Sequence, residues 1–130
     1  MRPWIPLSLA LAALPTPAAA ADISTHVLDL ARGVGGVGVP VTLSRRDRDG
    51  RWIEVAKGRT DENGRVRSFG ASASFPPADY RLHFDLTRYP DAKGAPFFPE
   101  IDLTFRVGDG AHYHVPVVLS PYGYSTYRGN

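Results

Sequence analysis

The sequence predicts an all-β protein, an antiparallel β-sandwich built from short strands. Apolar and polar residues alternate with a period of two in one segment after another, which is the pattern of strands buried on one side. Short clusters of Gly, Pro, Asp and Asn separate these segments, as turns do between strands. The hydrophobic fraction of 43% and the scattered charges are typical of a globular protein, and 130 residues fit one domain.

The start of the chain has the composition of a secretory signal peptide. Arg2 supplies a positive charge, segment 5–14 is apolar, and PTPAAAA supplies the small residues that suit a cleavage site. The apolar segment is too short to cross a bilayer, which takes about twenty residues. We therefore expect a signal peptide at 1–20, a mature domain at 21–130, and export to the periplasm or the exterior; an uncleaved start is the alternative.

Seven or eight short strands are predicted along the mature domain. The clearest are YRLHFDL at 80–86 and IDLTFRV at 101–107, in which every second residue is apolar. The predicted strands are 22–29, 38–46, 51–57, 64–69, 79–86, 99–107, 111–119 and 123–128. Turn sequences lie between them at 47–50, 61–64, 75–77 and 108–110. Asn63-Gly64 is a strong hairpin signal, and only 86–94 leaves room for one short helix.

The segment AHYHVPVVLS at 111–120 has two faces of different character. One face carries Tyr113, Val115, Val117 and Leu119, and the other carries His112, His114, Pro116 and Val118. The first set is suited to a core, whereas the second is neither fully apolar nor fully polar. We therefore expect a second subunit to cover the second face, with the imidazoles at the joint.

Several classes of site and partner find no support in the sequence. The basic groups behind the net charge of +2 are scattered, so we expect no nucleic-acid partner, and the absence of cysteine excludes disulfides. The spacing of His112 and His114 suits half of a zinc site, but no third ligand is fixed, so we expect no essential metal. His83 lies on the polar face of a strand and is predicted to be a solvated residue. No nucleophile elbow, phosphate loop or dinucleotide fingerprint occurs.

Segments across the whole mature domain resemble the transthyretin-like family. ISTHVLDLARG at 23–33, followed by GVPVTLSRR at 38–46, is similar to the start of that family. RTDENGRV at 59–66 resembles its central hairpin, and FFPEI at 97–101 and HYHVPVVLSPYGYSTYRGN at 112–130 resemble its remaining signatures. An ending of Tyr-Arg-Gly-Ser marks the enzymatic branch, which hydrolyses 5-hydroxyisourate in urate breakdown, rather than the hormone carriers. Here Asn130 stands in place of that serine.

The resemblance implies a transthyretin-like sandwich of two four-stranded sheets with one short helix, assembled into a homotetramer with active sites at a subunit interface. It implies hydrolysis of a cyclic amide, 5-hydroxyisourate, to 2-oxo-4-hydroxy-4-carboxy-5-ureidoimidazoline, with no cofactor and no membrane partner. The family's catalytic residues correspond to His26, Arg65 and His114. Its substrate-binding residues correspond to His26, Arg65, Tyr127, Arg128, Gly129 and Asn130.

These residue types suit the implied reaction. Imidazole is the side chain whose ordinary pKa lies nearest neutrality, so a histidine can take a proton from water. An arginine is a permanent cation that stabilises an oxygen gaining negative charge. The sequence leaves open which histidine activates the water. The alternative functions are a non-catalytic carrier of a planar small molecule on the same scaffold and an exported adhesion module in which the histidines are incidental.

Overall fold

The computed structural model describes residues 12–13, 21–70, 74–90 and 96–130, and all regular secondary structure within them is β-strand. The strands are β1 (Asp22–Asp29), β2 (Val34–Gly35), β3 (Pro40–Arg46), β4 (Trp52–Arg59), β5 (Arg65–Val66), β6 (Ala78–Asp85), β7 (Glu100–Val107), β8 (His112–Ser120) and β9 (Gly123–Thr126). The predicted signal peptide at 1–20 lies outside the described residues apart from 12–13. Within the described part of the chain, no helix is long and apolar enough to cross a membrane.

The strands form two sheets, which confirms the predicted sandwich. One sheet has the order β4-β3-β6-β7, and the other has the order β2-β1-β8-β9 with β5 also paired to β1. The second sheet therefore has five strands rather than the predicted four, because the two-residue strands β2 and β5 both attach to β1. The strand pairs are antiparallel except for β1 and β8, which run parallel over eight paired positions.

The core lies between the sheets and is filled by the residues that the alternation predicts. Tyr80, Leu82 and Phe84 of β6 are each no more than 1% exposed, and Leu43 of β3 lies opposite Leu82. Full burial of such a side chain contributes roughly 1.5–3 kcal/mol. Tyr80 keeps its hydroxyl satisfied by donating to the Pro76 carbonyl oxygen at 2.6 Å. With no cysteine in the chain, burial of this kind stabilises the domain.

The predicted short helix at 86–94 does not form in the described residues. Residues 86–90 make a turn in which the Tyr89 amide donates to the Leu86 carbonyl at 3.0 Å, and 91–94 lie outside the described residues. Pro90 has no amide hydrogen and disfavours helical backbone at the residue before it. The Tyr89 hydroxyl donates a hydrogen bond to the buried Asp29 carboxylate, which attaches the turn to β1. Burial, together with Asp29, raises the pKa of Tyr89 well above its usual range.

The Asn63-Gly64 turn forms where the sequence predicts it, but it is not a hairpin. Gly64 has φ +79°, which favours glycine, and the Asp61 carboxylate accepts hydrogen bonds from the amides of Asn63 and Arg65 at 2.9 Å. The flanking strands then separate, because β4 pairs with β3 while β5 pairs with β1. The predicted strand 64–69 is accordingly reduced to the two residues of β5. This turn carries the chain from one sheet to the other and sets Arg65 beside β1.

Candidate active site

The outer face of the β1–β8 pair collects the polar side chains of both strands. Because the strands are parallel and in register, Asp22 pairs with His112, Ser24 with His114, and His26 with Pro116. The inward set of β8 is buried as predicted: Tyr113, Val115, Val117 and Leu119. Of the outward set, Pro116 is already buried within the single chain, whereas His114 and Val118 are half-buried and His112 is exposed.

His26 and Arg65 lie side by side at one end of this face. They are directly paired residues of β1 and β5. His26 Nε2 lies 2.8 Å from the Asn63 carbonyl oxygen, and since a carbonyl only accepts, Nε2 donates. Neutral His26 therefore has its lone pair on Nδ1. The Arg65 amide is held by the Asp61 carboxylate, and no carboxylate of the described residues lies within 4.0 Å of the Arg65 guanidinium.

His114 is half-buried on the outer face of β8. Its Nδ1 lies 2.7 Å from Ser24 Oγ, and Ser24 is only 6% exposed. Burial lowers the pKa of His114 below its ordinary value of 6.5, and the nearby Arg65, His112 and His26 lower it further when charged. His114 is therefore a neutral imidazole at neutral pH, which is the form that accepts a proton.

The end of the chain folds back along His114. The Gly129 amide donates to the His114 carbonyl at 2.7 Å, and a Cβ added at Gly129 would lie 2.6 Å from His114 Cδ2. Asn130 lies beside the same histidine in a shallow cavity. In this single chain, Tyr127 and Arg128 lie away from His114 and line a separate groove beside β7. Arg128 lies over the Tyr113 ring, 4.5 Å from its centroid.

A cavity of about 280 Å³ lies between β5, β8 and the end of the chain. Its lining residues are Ser24, Thr25, Arg65, Val66, Arg67, His112, His114 and Asn130. Two arginines and two imidazoles in one small cavity favour a polar, electron-rich or anionic ligand. His26 lies on the far side of Arg65 and lines an adjacent depression, so Arg65 borders both.

Two residues of the site were missed by the sequence interpretation. Ser24 connects the two β8 histidines, since its Oγ lies 3.1 Å from His112 Nε2 and 2.7 Å from His114 Nδ1. Asp22 extends this row of hydrogen bonds, since its carboxylate oxygen lies 2.7 Å from His112 Nδ1. Both residues lie on the same face as His26 by the period of two, but the alternation within β1 does not reveal that β8 is its neighbour.

His83 does not belong to this face. His83 lies on the other sheet, half-exposed and 2.7 Å from the Asp102 carboxylate, as expected of a residue on the polar face of a strand. In the residues that the structure covers, no three or more His, Cys, Asp or Glu side chains are grouped so as to hold a metal ion.

The family model, the related sequences and the solved structures that match this chain all belong to one family. Residues 23–129 match the HIUase/Transthyretin family. The chain is 40% identical over 125 residues to the 5-hydroxyisourate hydrolase of Salmonella dublin, an alignment that covers 92% of this chain and 91% of that protein. The structure of Klebsiella pneumoniae 5-hydroxyisourate hydrolase superimposes with a TM-score of 0.73 at 32% identity, over 85% of this chain and 99% of that one. Transthyretin from Sparus aurata gives 0.73 at 29% identity, over 82% and 95% of the two chains.

Proposed function

The chain belongs to the HIUase/Transthyretin family, and from this premise we propose that it is a 5-hydroxyisourate hydrolase of purine catabolism. It opens the six-membered ring of 5-hydroxyisourate at an amide and yields 2-oxo-4-hydroxy-4-carboxy-5-ureidoimidazoline. The observation that carries the proposal is the cavity in which a neutral imidazole, His114, and an arginine without a carboxylate partner among the described residues, Arg65, line one wall. A carrier of planar ligands has no need of a base beside a cation.

The reaction requires a water to lose a proton as it attacks the amide carbon. The lone pair of a neutral histidine takes that proton, and the carbonyl oxygen gains negative charge as the water oxygen bonds to carbon. The C–N bond then breaks, and the ring nitrogen receives a proton as it leaves. The lowered pKa of His114 keeps this base available at neutral pH.

Arg65 is suited to the opposite task. Its guanidinium is a permanent cation with several donors, and it faces both the His114 cavity and the His26 depression. We assign to it the stabilisation of the oxygen that becomes negative, a kind of contribution often worth 10²–10³ in kcat. His26 orients the substrate or the water beside it.

The chain end contributes the substrate-binding side of the site in this proposal. Gly129 and Asn130 already lie at His114 within one chain. Tyr127 and Arg128 lie outside that cavity, so their part in binding requires a site completed by a neighbouring subunit. On this ground, which rests on the family resemblance, we propose a homotetramer with active sites at the subunit interface.

Exposed apolar side chains are consistent with such an assembly. Phe97 is 64% exposed and Tyr122 is 81% exposed, and their rings contact each other at 5.8 Å between centroids. They border an apolar cavity of about 470 Å³ that holds none of the site histidines. A large exposed aromatic cluster usually marks an interface. For the location of the protein, we propose export, on the basis of the leader-like composition of residues 1–20.

The direct experiment is to add freshly generated 5-hydroxyisourate to the purified mature protein. The substrate decays spontaneously, so the ultraviolet spectrum is followed with and without protein. We expect decay to accelerate in proportion to protein concentration. The control is the variant His114→Asn at the same concentration. Binding of the substrate without acceleration would favour the carrier function instead.

A further inference from the structure

Four side chains form a continuous hydrogen-bonded series across the outer face of β1 and β8, which we call the histidine–serine chain. It runs from Asp22 to His112 at 2.7 Å, from His112 to Ser24 at 3.1 Å, and from Ser24 to His114 at 2.7 Å. The members alternate between the strands, because the parallel register sets Asp22 opposite His112 and Ser24 opposite His114. At the last member of the chain, Gly129 packs against the His114 ring.

The Asp22 carboxylate, together with the neutral form of His112, fixes the direction of every hydrogen bond. A carboxylate only accepts, so His112 Nδ1–H donates to Asp22. In neutral His112 the lone pair is then on Nε2, which accepts the hydroxyl proton of Ser24. Ser24 has no second proton, so its oxygen accepts from His114 Nδ1–H.

These hydrogen-bond directions also determine the state of the second ring nitrogen of His114, Nε2. With its proton on Nδ1, neutral His114 has its lone pair on Nε2. No described residue forms a hydrogen bond with this atom, and His114 lines the cavity beside Arg65 and Asn130. The lone pair is therefore left for a molecule in the cavity.

We propose that the other three members of the histidine–serine chain are positioning residues: they hold His114 as the Nδ1–H tautomer and make Nε2 the atom that takes the proton from the attacking water. The inference rests on the proposed hydrolase function and identifies the base that the sequence left open. The water proton moves to Nε2, the water oxygen bonds to the amide carbon, and the imidazolium stays hydrogen-bonded to Ser24 through Nδ1–H. The same Nε2–H then protonates the leaving nitrogen.

The tautomer can be measured without substrate. In protein labelled with ¹⁵N, protonated and unprotonated ring nitrogens of a neutral histidine have well separated shifts. For the wild type, above the pKa of His114, we expect a protonated Nδ1 and an unprotonated Nε2. A wild-type His114 protonated at Nε2 overturns the inference whatever the activity.

Asp22→Asn is the most informative variant, because the amide has nearly the same size and shape as the carboxylate. Asp22 is largely exposed, so we expect the variant to fold. An amide presents either its NH₂ or its oxygen to His112 Nδ1, so it no longer enforces one tautomer of His112, and we expect the tautomers of His114 to mix. We expect kcat to fall about 10- to 100-fold with little change in KM, by analogy with the partners that orient metal-bound histidines. In the buried triad of a serine protease, replacing the aspartate that fixes the histidine tautomer with asparagine lowers kcat by more, about 10⁴-fold.

The matched control is Asp102→Asn. This change removes the carboxylate from the other His–Asp pair at 2.7 Å, that of His83 on the opposite sheet. We expect it to leave kcat and the His114 shifts unchanged. Ser24→Ala is a second test, expected to lower kcat and mix the tautomers, with Ser24→Thr restoring both because it keeps the hydroxyl.

The outcomes separate the two proposals. Unchanged kcat and tautomer in both Asp22→Asn and Ser24→Ala would overturn the inference while the hydrolase function stands. A wild type with the expected tautomer but no hydrolysis would overturn the proposed function, and with it the role of Nε2 as the base.

Discussion

Gly129 lies against the imidazole of His114 with no room for a side chain between them. A Cβ at position 129 would lie 2.6 Å from His114 Cδ2 and 3.3 Å from Cγ. The contact is reinforced by the hydrogen bond from the Gly129 amide to the His114 carbonyl at 2.7 Å. The glycine near the end of the chain thus fixes one side of the ring while Ser24 holds the other.

Gly129→Ala is therefore expected to displace the His114 ring or the chain end. A misplacement of about 1 Å at a reacting group costs about 100-fold in rate, so we expect a fall in kcat of that order. Steady-state kinetics and the ring shifts of His114 measure the effect. Gly108→Ala is the control, since nothing lies within 4 Å of a Cβ there. Wild-type kinetics in Gly129→Ala would show that the contact is unimportant.

Arg65→Gln is expected to raise the pKa of His114. Burial lowers this pKa most, and the positive charge of Arg65 is the next cause, so its removal makes protonation easier. The neutral base is lost as pH falls through the pKa, so a higher pKa moves that loss to higher pH. An NMR titration of the free protein measures the shift even if turnover is lost. Arg67→Gln, in the same cavity, is the control and should leave the His114 pKa in place.

His114→Asn is expected to lower kcat by roughly 10²- to 10⁴-fold, the usual contribution of general acid–base catalysis. His83→Asn should have little effect, because His83 lies on the opposite sheet with Asp102. Both variants are compared by initial rates on 5-hydroxyisourate at matched concentration. A dependence on His83 and not on His114 would contradict the assignment of the site to the β1–β8 face.

Asn130→Ser is expected to change kcat/KM by less than about tenfold, or roughly 1.4 kcal/mol of barrier. Asn130 lines the His114 cavity, and both side chains offer a donor and an acceptor there. The rate ratio of the two proteins measures the effect. A much larger change would mean that the family's serine has a role that an amide does not fill.

Val118→Asp is expected to dissociate the proposed tetramer. Val118 is half-buried on the site face, and a partner subunit would leave an introduced carboxylate buried and unpaired. Light scattering at micromolar concentration measures the mass. Ile53→Asp is the control, because Ile53 is an exposed residue on the opposite sheet. A wild type that is monomeric under these conditions would contradict the assembly itself.

The sequence was sufficient for the sandwich and for most strand positions, since alternation depends on local residue order. It was not sufficient for the helix at 86–94, where Pro90 produces a turn, or for the Asn63-Gly64 turn, whose strands join different sheets. Strand pairing is a long-range property that a local pattern does not contain. For this reason Ser24 and Asp22 were missed, although His112 and His114 were recognised beside them.

The parallel pairing of β1 with β8 has a consequence for folding of the chain. Asp22 and His112 are partners across 90 residues, and every strand between them is synthesised before the pair can close. Contacts of such long sequence separation form slowly, because the loop between them must be closed first. We therefore expect His112 and His114 to reach Asp22 and Ser24 late in folding, when β8 pairs with β1. A nascent or truncated chain that lacks β8 lacks His112 and His114, and its β1 is without its parallel partner.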